Sequence, residues 1–348
     1  MARTLPTWAI VLIVVASCAV LLLCLAAWYI SSLFKGPDYS ALPAYYPFKS
    51  RAAEQRYHEY YAARAREWPS PSEERLVQTS FGRTFVRVCG PKDAPRLVLL
   101  PSVSASSLIW LPNIEGLAPH FRIYAVDNIY DVGLSVNTRP VKGAADLTAW
   151  LDELFTKLEL GDRINLMGLS FGGWLAAQYA LVHEERLAGL VMVAPVATVH
   201  QLPGQWAWRA IMAALPPHRF FMTHFLVNWM CQGLVKKGDD RSKRMLERWV
   251  DDAIEAMECF SFRMPVAPTV LTDDQLRSFR VPALFLVGAN EVIYPADRAV
   301  QRIKSVAPSI ATDVIPNASH DLTISQTELV NGKVTAFLLN VAASAGRK

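Results

Sequence analysis

The sequence has few cysteines and lacks the paired cysteines of a metal site. Its 348 residues include five, and no two of them form a Cys-x-x-Cys motif. Cys18 and Cys24 lie in an apolar N-terminal run, and the other three are far apart: Cys89, Cys231 and Cys259. This scattered set excludes a regular disulfide framework and a zinc motif of that kind. We expect buried free thiols, and neither a metal ion nor another cofactor.

Charged side chains are also scarce. They make up 19% of the chain, against 52% hydrophobic residues, and the net charge is only +4. No dense run of lysine and arginine occurs, which argues against a nucleic-acid partner. No internal repeat divides the chain, and the length allows one large domain or two small ones. The apolar excess predicts a large buried core, and the sequence indicates no oligomeric state.

Part of the apolar excess is one uncharged run, Trp8–Ile30. As a helix it would extend roughly 34 Å, enough to cross a hydrocarbon core of about 30 Å. Trp8 and Trp28-Tyr29 would occupy the two interfaces. A cleaved signal peptide has a shorter apolar core, and a lipoprotein signal ending at Cys18 would be followed by polar residues. We therefore predict a single-pass membrane anchor over 1–34. Basic residues flank both ends, so the side of the membrane stays open.

Residues 35–75 are predicted to form a linker followed by an amphipathic helix. Pro and Tyr are frequent over 35–48, as in a linker. Apolar residues then recur every three or four positions, which is typical of a helical stripe: Ala53, Tyr57, Tyr60, Tyr61 and Ala65. Two positions are possible for this helix. The helix packs on the domain with a solvated basic face, or its arginines contact anionic lipid headgroups.

The rest of the chain alternates between short apolar strands and helices, which predicts a mostly parallel sheet with helices on both faces. The predicted strands are Thr84–Val88, Leu97–Leu100, Ile123–Val126, Ile164–Met167, Gly189–Val193, Ala283–Val287 and Thr312–Ile315. The predicted helices include Ala144–Leu158, Phe171–His183, Ala296–Val306 and Ser325–Asn340. This core covers 76–195 and 281–342. Residues 196–280 lack strands and are predicted to be an inserted helical cap, rich in tryptophan: Trp206, Trp208, Trp229 and Trp249.

The strongest local motif is Gly168-Leu169-Ser170-Phe171-Gly172. It follows the apolar strand INLM and precedes the helical segment WLAAQYALVH, the context of a nucleophile elbow. A strained turn would lift the Ser170 hydroxyl into a cleft, and Gly168 and Gly172 would leave room for it. The N-terminus of the following helix favours developing negative charge. Ser170 is the predicted nucleophile.

A serine nucleophile needs a base, and an acid to orient that base. After such an elbow the acid and then the base follow in chain order. His320 is the one histidine that lies late enough, just after the last predicted strand. Glu291 follows the strand ALFLVG and is the predicted acid, which would hold the tautomer of His320. Asp297 and Asp313 are alternatives, although one falls in a helix and the other in a strand.

An oxyanion hole needs two backbone N–H groups. Phe171 supplies the first, directly after the nucleophile. The second is expected from the loop after RLVLL, with Val103 as candidate and Ser104 as alternative, because Pro101 has no N–H. The loop also carries several serines that either fix its backbone or are merely small loop residues: Ser102, Ser104, Ser106 and Ser107.

These motifs, with Phe81-Gly82 and the run Gly90-Pro91-Lys92-Asp93-Ala94-Pro95, resemble the bacterial carboxylesterases of the α/β-hydrolase superfamily, of the Bacillus naproxen-ester type. The resemblance spans Arg51 to Leu339. It implies an α/β-hydrolase fold and a triad of Ser170, Glu291 and His320. It also implies a small hydrophobic ester as substrate. Two features depart from the family: Pro101-Ser102 replaces the usual His-Gly, and the membrane segment is an addition.

Three functions follow as hypotheses. The first is a carboxylic-ester hydrolase that forms an acyl enzyme on Ser170. The second keeps the fold but cleaves a thioester, an amide or a carbon–carbon bond. Haloalkane and epoxide chemistry is disfavoured, because those relatives use Asp as nucleophile. The third is a non-catalytic, membrane-tethered binding domain, which the altered oxyanion loop favours and the complete triad disfavours.

Overall fold

The computed structural model describes residues 6–35, 37–205, 209, 218–261 and 266–345. In this part of the chain nine strands form one sheet, in the order β1-β2-β4-β3-β6-β7-β8-β9, with β5 paired to β2. The strands are β1 Ser72–Thr79, β2 Gly82–Cys89, β3 Arg96–Leu100, β4 Arg122–Val126, β5 Val136–Asn137, β6 Ile164–Leu169, β7 Leu187–Val193, β8 Ala283–Gly288 and β9 Ala311–Ile315. From β4 to β9 all neighbours are parallel, and β2 is antiparallel to β1, β4 and β5.

All seven predicted strands are present, so the mostly parallel sheet is confirmed. The buried runs of β6 and β8 are apolar along their whole length, as expected for strands covered on both faces. Two strands were not predicted. The first, β1, begins at Ser72, inside the segment 35–75 predicted as linker and helix. The second, β5, is only two residues long.

Helices cover both faces of the sheet. Each face has its own cluster of buried apolar side chains beneath the helices. One cluster includes Trp150 and Trp174, and the other Trp110 and Phe121. The helices are α1 Thr7–Phe34, α2 Arg51–Ala65, α3 Leu111–Leu117, α4 Ala144–Lys157, α5 Phe171–Val182, α6 Arg219–Phe225, α7 Gln232–Lys237, α8 Asp240–Cys259, α9 Asp273–Ser278, α10 Ala296–Val306, α11 Leu322–Ser325 and α12 Thr327–Ala345. Short 3₁₀ turns lie at Ser107–Trp110 and Glu184–Arg186, and a π turn at Leu226–Met230.

The predicted cap, residues 196–280, contains α6 to α9, and its described residues include no strand of the sheet. A small cluster of its own holds Met222, Leu234 and Val250 together with Ile324 of the core. Trp249 packs against this cluster. The tryptophans at 206 and 208 lie outside the described residues. The cap is thus a helical layer with its own apolar core. It packs against the sheet domain at Ile324.

Helix α1 contains the predicted anchor. Its segment Thr7–Tyr29 has a mean hydropathy of 3.1 and none of it is buried against the domain. It is long and apolar enough to cross a membrane, a property that an N-terminal signal sequence shares.

Helix α2 packs on the domain rather than standing free. The Ser50 hydroxyl accepts a hydrogen bond from the Ala53 N–H and caps its N-terminus. Tyr57 and Tyr61 are buried, and the other residues of the predicted stripe pack beside them, so the stripe is confirmed.

The predicted solvated basic face of α2 is wrong for one of its arginines, Arg64, whereas the other three are exposed: Arg51, Arg56 and Arg66. Arg64 is buried and donates to Asp252 of α8 and to Glu67. Arg56 contacts two carboxylates of the same cap helix, Glu255 and Glu258. Because α8 places acidic residues opposite α2, two of these four arginines bind the cap.

Candidate active site

The turn between β6 and α5 has the strain predicted for a nucleophile elbow. Ser170 has φ 55° and ψ −112°, a backbone conformation that is rare for a residue with a side chain. A Cβ on Gly168 would lie 2.0 Å from the Gly172 oxygen. A Cβ on Gly172 would lie 2.4 Å from the oxygen of Leu100, at the end of β3. Both positions therefore require glycine, and the elbow packs directly beneath the loop that follows β3.

His320 and Glu291 form a buried pair. The Nδ1 atom of His320 lies 3.0 and 3.1 Å from the two carboxylate oxygens of Glu291, whose side chain is fully buried. The same carboxylate accepts hydrogen bonds from the N–H groups of Val292 (2.8 Å) and Ile293 (3.0 Å). A carboxylate held in this way favours a proton on Nδ1 and leaves Nε2 as the basic nitrogen. Nε2 is buried and has no hydrogen-bond partner among the described residues.

The strands bring this pair together. Glu291 follows β8 and His320 follows β9, and the two loops are joined by a hydrogen bond from the Asn290 N–H to the Ala318 oxygen. The alternative acids are elsewhere: Asp297 lies in α10, and Asp313 lies in β9 and pairs with Lys333. Of the three carboxylates considered, Glu291 is the one that contacts His320.

The loop after β3 separates the two candidate oxyanion donors. The Ser104 N–H donates to Asp131 Oδ2 at 2.8 Å, so this N–H group already has an acceptor. The Val103 N–H donates to none of the described residues. Phe171 begins α5, where an N–H has no partner within the helix. Within the described part of the chain, the Val103 N–H thus has no acceptor, whereas the N–H of the alternative, Ser104, is already bonded to Asp131.

Asp131 was missed by the sequence reasoning. It lies in the loop after β4, is buried, and accepts a second hydrogen bond from the Val132 N–H at 2.8 Å. Burial disfavours its charged form and raises its pKa to about 7, although the two N–H groups partly oppose this shift. The one available sequence signal was a pair of aspartates directly after a buried strand, in DNIYD. Asp131 therefore fixes the loop after β3, which carries the predicted oxyanion donor, through Ser104.

The serines of this loop have structural partners. The Ser102 hydroxyl donates to the Val103 oxygen at 3.1 Å, and the Ser107 hydroxyl lies 3.0 Å from the Tyr61 hydroxyl. Ser106 caps the turn that follows by accepting from the Leu108 N–H. The serines thus help to hold the loop, in addition to Asp131.

Asp321 is a second carboxylate that the sequence did not reveal. It is buried and accepts hydrogen bonds from the N–H of Ser319, before His320, and from the N–H of Leu234 in α7. The Ser319 hydroxyl also donates to the Met230 oxygen of the cap. Asp321 therefore ties the histidine loop to the cap.

An open cleft of about 410 Å³ adjoins the Glu291 loop. Its lining combines apolar and polar side chains from the start of the cap and the Glu291 loop: His200, Gln201, Leu202, Pro203, Glu291, Val292, Tyr294 and Pro295. Its volume is in the range of small-molecule sites.

The chain is similar to known bacterial carboxylesterases in sequence and in fold. Carboxylesterase YbfK of Bacillus subtilis is 31% identical over 288 residues, which cover 81% of this chain and 93% of that protein. The B. subtilis protein named uncharacterized carboxylesterase nap is 32% identical over 284 residues, covering 81% and 92%. The crystal structure of naproxen esterase from B. subtilis matches with a TM-score of 0.75 and 31% identity, over 83% of this chain and 99% of that one.

The resemblance seen in the motifs is thereby confirmed, as is the fold expected from it. A model of the alpha/beta hydrolase family also matches residues 97–332, well over half of the sequence. The chain therefore belongs to the α/β-hydrolase family.

Proposed function

We propose that this carboxylesterase-type α/β-hydrolase cleaves apolar carboxylic esters through an acyl enzyme on Ser170. The observation that carries the proposal is the His320–Glu291 pair, with a buried and unpartnered Nε2 on the same sheet edge as the strained serine. A histidine oriented by a carboxylate is what a serine hydroxyl needs in order to become a nucleophile. The named carboxylesterases among its relatives support ester chemistry.

In the proposed mechanism, His320 Nε2 accepts the Ser170 proton while the serine oxygen attacks the ester carbonyl. The Val103 and Phe171 N–H groups stabilise the negative charge on the carbonyl oxygen. Glu291 stabilises the imidazolium, which then protonates the leaving alcohol as the ester C–O bond breaks. A water molecule, deprotonated by His320, attacks the acyl enzyme. The carboxylic acid leaves and the proton returns to Ser170.

Labelling with a fluorophosphonate tests the nucleophile. The full chain should be labelled, and Ser170→Ala should abolish labelling. Ser305→Ala, which changes an exposed helical serine, is the matched control and should be labelled normally. Labelling of the Ser170→Ala chain would assign the nucleophile to another residue.

The substrate class follows from the relatives and from the cleft beside Glu291, which is large enough for a small ester. A panel of ester chain lengths, with a thioester and an amide of the same acyl group, tests it. The esters should be turned over fastest. A higher kcat/KM for the thioester or the amide would overturn the ester assignment in favour of the second hypothesis.

We also propose that α1 remains in the protein as a single-pass membrane anchor. Its length, its lack of charge and the aromatic residues at both ends support this. The intact chain should sediment with membranes and resist extraction at high pH. Recovery of a shortened, soluble protein that lacks α1 would show that the helix is a cleaved signal.

A further inference from the structure

The linker after α1 is docked on the edge of the sheet that carries the candidate site. We call the edge formed by the carboxyl ends of the parallel strands the active-site edge. Asn137 of β5 lies beyond the end of β4 at this edge, and its side-chain N–H donates to the Tyr39 hydroxyl at 2.8 Å. Tyr39 packs edge-on against Tyr46, with ring centroids 6.3 Å apart. The linker therefore joins the domain at the active-site edge.

The docked linker continues toward the nucleophile. Tyr46 and Pro47 line a small cavity together with Tyr130 and Asp131. Asp131 binds the oxyanion loop, as described above. The Tyr130 ring lies 5.8 Å from the ring of Phe171, the residue after Ser170. Two side-chain contacts thus separate the linker from the candidate nucleophile.

The length of the tether limits how far this edge can be from a membrane. Five helical residues lead from Tyr29 to Phe34, and five more reach Tyr39. Fully extended, this path is about 25 Å long. A domain of this size is about 50 Å across. Since Tyr39 is fixed on the active-site edge, that edge cannot be on the side of the domain away from the bilayer.

The cap offers an independent observation. Among the described residues, the exposed Phe and Trp side chains are Trp8 and Trp28 of α1, and Phe220 and Phe221 of α6, which are 65% and 40% exposed. The cap lies at the active-site edge, since it binds the histidine loop. Exposed aromatic side chains suit the interfacial region of a membrane.

We propose that the active-site edge and the α6 surface of the cap lie against the bilayer, and that the substrate is an apolar ester dissolved in the membrane. This inference rests on the proposed hydrolase activity and on the proposed anchor. Such an ester would pass from the lipid phase to the site without crossing bulk water, which saves the cost of exposing its apolar surface.

The test uses the full chain in phosphatidylcholine vesicles, with a short-chain water-soluble ester and a long-chain fluorogenic ester that stays in the bilayer. The first variant carries a flexible Gly/Ser insert of about 30 residues between Lys35 and Pro37. Lengthening the tether from about 10 to about 40 residues lowers the effective concentration of the domain at the membrane by roughly eightfold. Turnover of the bilayer ester should fall by that factor, and turnover of the soluble ester should not change.

The second variant, Phe220→Ser with Phe221→Ser, should likewise slow only the bilayer ester. Each variant has a matched control at the opposite edge of the sheet. The control for the lengthened tether carries the same insert between Lys92 and Asp93. The control for the phenylalanine variant is Val182→Ser, at an exposed apolar residue. Neither control should affect either ester.

The possible outcomes distinguish failure of the membrane-facing orientation from failure of the proposed hydrolase function or of the proposed anchor. If no chain hydrolyses the soluble ester, the proposed hydrolase function fails. If the chain is recovered without α1, the anchor and this inference both fail. If the soluble ester is cleaved and both variants turn over the bilayer ester at the unchanged rate, the membrane-facing orientation is refuted while the hydrolase function stands.

Discussion

Replacing Asp131 by asparagine should remove a pH dependence of stability. The side chain keeps its shape but no longer titrates. Burial raises the folded-state pKa of Asp131 from 3.8 to about 7, so the folded protein holds this proton where the unfolded chain has released it. The corresponding stabilisation is present below the unfolded pKa and is lost as the pH rises through the folded pKa.

The size of this stability change follows from the pH range between the unfolded-state and folded-state pKa values of Asp131. Between about pH 5 and pH 7 the unfolded carboxylate is already charged, and each pH unit costs about 1.4 kcal/mol of the free energy of unfolding. Relative to Asp131→Asn, the unmodified chain should therefore lose about 3 kcal/mol between pH 5 and pH 8. Asp131 is only 5% exposed, so solvent screening reduces this little.

Urea unfolding of both proteins, in a chain that begins at Pro37, measures the difference at each pH. Two stability profiles that stay parallel from pH 5 to pH 8 would refute the assignment of the titrating group to Asp131.

Three further predictions address the acid, the histidine loop and the linker. Glu291→Gln should lower kcat on the order of 10³–10⁴-fold in a pH-rate assay, since an amide favours the wrong histidine tautomer; near-normal kcat would move the acid elsewhere. Asp321→Asn should cost about 1–3 kcal/mol in urea unfolding, because an amide cannot accept from all of its buried donors, and unchanged stability would contradict this. A chain that begins at Lys49 should be about 3–5 kcal/mol less stable than one that begins at Pro37, since it loses Phe48, which is 2% exposed against Phe260. Equal unfolding midpoints would show that Phe48 is dispensable.

The sequence predicts this site best where chemistry depends on local order. A buried strand, a Gly-x-Ser-x-Gly turn and an apolar helix occupy one continuous stretch, so Ser170 could be placed without knowing the rest of the fold. His320 and Glu291 could be placed because each directly follows a strand, and parallel strands end at the same edge. The structure brings these two side chains together at 3.0 Å.

The same reasoning could not find groups whose role depends on distant parts of the chain. An aspartate in a loop is typical of an exposed turn. Asp131 and Asp321 are instead buried, and each accepts a hydrogen bond from a distant part of the chain: Asp131 from the Ser104 N–H, and Asp321 from the Leu234 N–H in α7 of the cap. Strand β1 was missed for a different reason: it lies at the edge of the sheet and is largely exposed, so its sequence SEERLVQT lacks a strong apolar pattern.

These buried carboxylates bind backbone N–H groups where the chain leaves the sheet around the site. The loops after β3, β4 and β9 leave the sheet together, and their backbone N–H groups have no strand partners there. Asp127 accepts from the Ser107 and Leu134 N–H groups, Asp131 from Ser104, and Asp321 from the histidine loop. Burial raises the pKa of Asp127 and Asp131, so their contribution is a pair of acceptor oxygens rather than a fixed charge. A buried N–H group left without an acceptor costs about 1–3 kcal/mol, so these side chains fix loop positions that the sheet does not. Because Ser104 is turned toward Asp131, the neighbouring Val103 amide is left free for the proposed oxyanion. Loss of Asp131 should therefore affect kcat through the loop, although its carboxylate has no part in the chemical step.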